Sequence, residues 1–234
     1  MLVALAAGIP ALAAQQFSFH MLQHVLLTTV GTPLVLLGAP VRPLIQGLPA
    51  SVRHGLLRPL ARSRLAHAAL HVLRHPLVAL ALYTATLYVW HWPPLYDGAV
   101  ADGRLHVVQH ASYVLTALLF WSVVIDPEPF RGTLPYGVRI LYVVLTGAAQ
   151  NTVLGGVLSL STVLFYRSYA ETTARLGLDP LTDQRTGGAV MWVLGDVIFL
   201  IAASASFFLW LEMEERQQLS LERRQAERAR QRKS

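Results

Sequence analysis

Two segments of the chain repeat one spacing: His20, Gln23 and His24 in FSFHMLQHVLL, and His106, Gln109 and His110 in RLHVVQHASY. Histidines four apart share a helical face, so each pair can aim two imidazoles at one point. Neutral imidazole is a ligand for copper, zinc or iron, and each segment therefore offers two donors to a metal site. His91, in YVWHWPPLY, offers a fifth imidazole. Met21 and Met191 offer thioethers, which would favour Cu(I). Gln23 and Gln109 stand where their amides can orient the imidazoles by hydrogen bonding. With no cysteine in the chain, disulfides and thiolate metal sites are excluded, and soft-metal chemistry falls to nine His and four Met. No nucleophile-base pair or phosphate-cradling loop accompanies these residues, so a role other than catalysis is expected. A di-metal oxidative centre is disfavoured because no Asp or Glu lies beside the histidine pairs.

Membrane helices are the elements that must position them. Of 234 residues 54% are hydrophobic and 14% charged, with a mean hydropathy of +0.46, which lies outside the balance of soluble domains. The expected fold is all-α, a polytopic transmembrane helical bundle, since about 20 apolar residues are needed to cross roughly 30 Å of hydrocarbon. Apolar runs of that length fall at 17–37, 76–95, 105–124, 136–165 and 187–211. Ahead of them, MLVALAAGIPALAAQQ is apolar but short, and no Lys or Arg precedes its apolar part. It reads as a short or truncated first span rather than a secretory signal, giving about six spans in all.

The arginines set the expected orientation. Loop 41–75 carries Arg42, Arg53, Arg58, Arg62, Arg64 and Arg74 and no acid, which marks it as cytoplasmic. The charged tail 212–234 is expected on the same side, beyond a transmembrane bundle 1–211, with 97–103 and 167–186 outside and 126–135 inside. A multi-pass protein of a bacterial cell membrane is the expectation. It brings His20, His24, His91, His106 and His110 to one depth, within the outer ~10 Å of the hydrocarbon, from three helices. Five costly polar groups at one depth call for a shared reason, either a metal site or hydrogen bonding inside the bundle. The net charge of +6 reports topology rather than nucleic-acid binding. Anionic lipid is the partner expected for the basic loop and for the tail, which continues the last helix.

Further polar residues lie deeper. Asp196 falls near mid-membrane with Gln150 and Asn151 at similar depth, and the three are expected to hydrogen-bond to one another. A proton relay through Asp196 is the alternative. Thr152 and Gly156 belong to a small-residue row suited to close helix packing.

Several segments together resemble the multi-pass CtaG proteins of haem-copper cytochrome c oxidase assembly. They are FSFHMLQHVLLTTVGTPLVLLGAP, WHWPPLYDGAV, LHVVQHASYVLTALLFW, YRSYA and LDPLTDQRTGGAVMWVLGD, spread over 17–196. The resemblance implies a bundle of roughly seven spans with the matched histidines as metal ligands. It also implies copper as the cofactor, haem-copper oxidase subunits as partners and copper delivery as the role. The chain departs from the family pattern at Gln109, where many members carry an acid, and at Asp196, where Gly or Ala is expected. Two other functions fit the residues alone: a b-type haem redox protein with imidazoles from two helices on the iron, and a metal or proton permease using Asp196.

Overall fold

The structure, a computed structural model, describes residues 8–38, 41–127 and 134–231. It is all-α, with no strand among the described residues. Helix α1 is Ile9–Ala13 and α2 is Phe17–Leu37. The arginine-rich segment forms α3 (Val41–Gly47), α4 (50–62) and α5 (Arg64–Leu73), followed by α6 (Pro76–Trp90), α7 (Pro93–Ala101) and α8 (Gly103–Ile125). The chain ends with α9 (Tyr136–Leu160), the short α10 (Ala170–Arg175) and the long α11 (Pro180–Arg228), whose helical path runs on to Gln231.

Four of these, α2, α8, α9 and α11, are long and apolar enough to cross a membrane. Helix α6 is a shorter apolar helix, and α5 precedes it across a bend of 67°. The predicted second span ran to 95, but α6 stops at Trp90. The cause is the Pro93-Pro94 pair, which opens α7 from its N-terminal positions instead of continuing α6. The expected short first span falls partly on residues 1–7, outside the described residues; from Gly8 onward only α1 is formed. Many Leu, Val and Phe side chains on the spanning helices are exposed, among them Leu34, Leu115, Leu141, Val157, Leu200 and Phe208. An apolar exterior on this scale fits a membrane protein.

The core is aromatic. Phe120 stacks on Tyr83 and Tyr142 at 4.8 and 5.1 Å, and Trp121 stacks on Phe199 at 5.5 Å, drawing α6, α8, α9 and α11 together. Closer approach is allowed by glycine: a Cβ on Gly155 of α9 would lie 2.8 Å from the Gly188 carbonyl of α11. The tight contact is thus made at Gly155 rather than at Gly156, where a Cβ would find its nearest neighbour at 3.8 Å.

Three of the spanning helices contain one π-helical turn each: Leu26–Gly31 in α2, Ala148–Thr152 in α9 and Val190–Leu194 in α11. Such a turn shifts hydrogen bonding to i→i+5. In α2 the Thr28 carbonyl accepts the Trp121 indole N–H at 2.9 Å, tying α2 to α8. The arginine-rich end is clamped by a buried ion cluster. Arg139 meets Asp126 at 3.0 Å and Arg74 meets it at 3.8 Å, while both guanidiniums also donate to backbone carbonyls at the end of α8. Asp126 caps α8 with φ of 56°, a left-handed conformation that Asp tolerates better than most residues.

Candidate metal centre

At the opposite end of the bundle α2 and α8 begin, and each presents its histidine pair within its first two turns. The start of α2 is fixed by another helix. Its Ncap residue, Gln16, makes no side-chain cap; instead the Asp183 carboxylate of α11 accepts the amides of Phe17 at 2.7 Å and Ser18 at 3.3 Å and the Ser18 hydroxyl at 2.5 Å. This satisfies two of the free N–H groups at a helix start and complements its positive dipole end. Gly187, one turn further along α11, leaves no room for a Cβ against the Phe17 ring. These contacts settle both the axial position and the rotation of α2, and hence the direction of His20 and His24.

Helices α2 and α8 do bring their imidazoles together. The His20 ring lies 5.1 Å from His106 and 6.0 Å from His110, and His24 lies 4.7 Å from His110. One ligand atom each from His20, His106 and His110 can be chosen with all three within 4.8 Å of one another. His20 and His24 are buried, whereas His106 and His110 are half-buried, so the group opens to the exterior on the α8 side. His91, at the end of α6, stands apart from this trio, beside Tyr113 and Tyr96. Its Nδ1–H donates to the Leu87 carbonyl at 2.8 Å, which leaves the Nε2 lone pair free to act as a ligand.

Each imidazole keeps at least one ring nitrogen without a hydrogen-bond partner. The Nε2 atoms of His20, His91, His106 and His110 and both ring nitrogens of His24 are buried and make no hydrogen bond. Unsatisfied buried polar atoms are rare in folded proteins and costly, about 1–3 kcal/mol each. Neutral nitrogen donors in this state are of the kind a soft or borderline transition metal takes as ligands.

Sequence reasoning missed the residues that orient the imidazoles. Tyr169, between α9 and α10, pairs with His20 Nδ1, and Tyr113 of α8 lies 3.3 Å from His91 Nδ1. Burial holds the Tyr169 phenol above its ordinary pKa, so it stays a neutral hydroxyl. Gln109 does not orient an imidazole: it is fully buried and neither amide atom has a partner. Gln23 is buried in α2. Tyr169 and Asp183 lie inside the segments YRSYA and LDPLTDQRTGGAVMWVLGD, and that was the sole signal the sequence offered for them.

The deeper polar residues are not bonded to one another as expected. Asp196 accepts from the Thr152 hydroxyl at 3.1 Å, Gln150 donates to Thr84 of α6, and the Asn151 amide nitrogen is buried without a partner against Gly195. The two methionines, Met21 and Met191, line a small cavity beneath the histidines together with His24 and His91.

Several mycobacterial proteins are similar to this chain in sequence. Uncharacterized proteins of Mycobacterium bovis and Mycobacterium tuberculosis are each 26% identical over 216 residues, covering 89% of this chain and 32% of their own length. One of Mycobacterium leprae is 27% identical over 220 residues, with the same coverage. The chain thus spans about a third of the length of the curated relatives it matches. No solved structure matches it. Residues 1–213 match the family described as cytochrome c oxidase caa3 assembly factor, and the chain, an all-α membrane protein with a buried histidine cluster, belongs to that family.

Proposed function

We propose that this protein binds copper at the histidine cluster and supplies it to a haem-copper oxidase during assembly, without catalysing a reaction. The observation that carries the reading is the group His20, His106 and His110, whose ligand atoms lie within 4.8 Å, in a chain of an oxidase assembly family. His24 adjoins the trio and His91 stands beyond it with its Nε2 preset as a donor. Copper bound there would be cargo, held by neutral imidazoles that release it by ligand exchange. Tyr169 orients His20, the Leu87 carbonyl orients His91, and the half-buried His106 and His110 form the entrance through which the ion passes.

The arginine distribution supports placing loop 41–75 and the tail 212–234 in the cytoplasm and the histidine end toward the outer side. That is the side on which metal can be exchanged with an extracytoplasmic client domain. Exposed Leu and Arg on α3, α4 and α5 suit a helical layer lying on anionic lipid, and His67 and His71 belong to that layer. A haem is less well suited, because the four clustered imidazoles are stacked or edge-on at 4.3–6.0 Å and leave no slot for a macrocycle between them.

Elemental analysis of purified protein tests the reading. The unaltered chain is expected to retain copper, and a variant carrying H20A, H24A, H106A and H110A to lose it; equal copper in both overturns the proposal. In cells lacking the protein, oxidase activity is expected to fall and to be restored by the unaltered gene and not by the variant.

A further inference from the structure

The cavity beneath the histidines is small, about 30 Å³, which is room for a bare cation or about two waters. Its wall is unusual in two respects. First, each of the three π-helical turns contributes to it: Thr28 from α2, Asn151 from α9 and Met191 from α11. Three separate helices interrupt their α-helical ladder at one level, and π-turns of this kind gather at functional sites. Secondly, the softest donors lining this space are two imidazoles and two thioethers, beside the neutral oxygens of Tyr83, Tyr113 and Asn151 and the hydroxyls of Thr28 and Thr29, which are committed to backbone carbonyls. His24 and His91 are 7% and 6% exposed and have buried, unpartnered ring nitrogens, while Met21 and Met191 are 0% and 4% exposed.

A donor set of neutral nitrogen and thioether sulfur selects a monovalent soft cation over Zn²⁺ or Mg²⁺. It contains no carboxylate or thiolate to offset a second positive charge, which would be costly at this depth. His24 belongs to both levels. It lines the cavity, its ring stands 4.5 Å from His20 and 4.7 Å from His110, and neither of its nitrogens is committed to a hydrogen bond. A ligand with that freedom can exchange a cation between the trio above and the cavity below.

We propose that the cavity is a second site, for a monovalent soft cation of the Cu(I)/Ag(I) class, held by Met21, Met191, His24 and His91 and filled from the outer trio through His24. The inference rests on the reading of His20, His106 and His110 as a metal site. The cation stays monovalent throughout, so no electron is exchanged; only ligands are, imidazole of the trio for His24 and then for thioether.

Anaerobic titration of the full detergent-purified chain with Ag(I), and with Cu(I) under a competing chelator, tests it. The unaltered protein is expected to take two equivalents, with sulfur neighbours visible by X-ray absorption at the copper edge. The M21L/M191L variant conserves volume and is expected to keep the fold, take one equivalent and lose the sulfur signal. One equivalent without sulfur in the unaltered chain overturns the second site and leaves the trio standing. Two equivalents in M21L/M191L also overturn the second site. No binding of either ion overturns both sites. The sulfur signal of the unaltered chain decides the case even if the variant fails to fold.

Discussion

At the arginine-rich end of the bundle Asp126 meets Arg139 at 3.0 Å and Arg74 at 3.8 Å, and the guanidiniums spend further donors on Ser122 and on the carbonyls of Val124 and Leu134. At the histidine end four imidazoles are packed together with His91 nearby, and each of the five keeps a buried ring nitrogen that meets no partner. All the unpartnered buried side-chain atoms among the described residues lie at that end or midway along the bundle. Both ends bury polar groups within an apolar chain, but at one end the charges are satisfied by the fold. At the other the fold provides the donors and leaves the acceptor role open. The first arrangement is that of a structural clamp, and the second is the one on which the proposed copper site rests.

Substitutions at four places probe this contrast. The largest effect is expected from Arg139→Ala, which leaves Asp126 with only the longer contact to Arg74 and removes the donors to the Leu134 and Val124 carbonyls, and should destabilise the protein by about 3 kcal/mol in denaturant unfolding. By the same measurement H106A/H110A, made without metal, should stay within about 1 kcal/mol of the unaltered chain, because the lost groups had no partners. Equal destabilisation of the two would erase the distinction between clamp and site. A middle effect is expected from Asp183→Ala, which removes the acceptor at the start of α2. Loss of a cap costs about 1–2 kcal/mol, and copper affinity should fall with it as His20 and His24 lose their orientation. Asp183→Asn, which keeps an acceptor oxygen, should recover most of both; if affinity is untouched by either change, the cap does not position the site. The smallest is expected from Tyr169→Phe. It leaves the aromatic packing and removes the hydroxyl on His20, so copper should bind about tenfold more weakly while unfolding shifts little.

Hydropathy located the spanning helices well because burial in lipid demands long apolar runs. Helix α2 occupies 17–37 as expected, and α8 and α9 differ from the predicted runs by a few residues at their ends. The shared end of the histidine pairs was legible too, since counting at about 1.5 Å per residue brings His20, His24, His106 and His110 to the starts of their helices, where their rings meet. Lateral neighbours were not. That α2 stands beside α8, and that His91 faces a cavity instead of the trio, depends on which helices pack together, and hydropathy is blind to that. The partners of the site lay further still from view. Asp183 reaches Phe17 across 166 positions and Tyr169 reaches His20 across 149, and neither pairing leaves a local pattern. The expected link of Asp196 to Gln150 and Asn151 failed for a related reason. Residues at one depth on neighbouring helices need also to share a face, and Asp196 turns toward Thr152 while Gln150 turns toward Thr84.

The π-helical turns have a consequence for the descent of the chain. A π-turn is an α-helix with one residue inserted, and each residue turns a helix by about 100°. Because the wider turn absorbs the extra residue, deleting one from 148–152 would restore a regular helix and leave Gly155 facing the Gly188 carbonyl. What such a deletion would displace is the turn itself, and with it Asn151 in the cavity wall, so a change of one residue in its length is expected to alter the cavity while sparing the packing of the helix beyond.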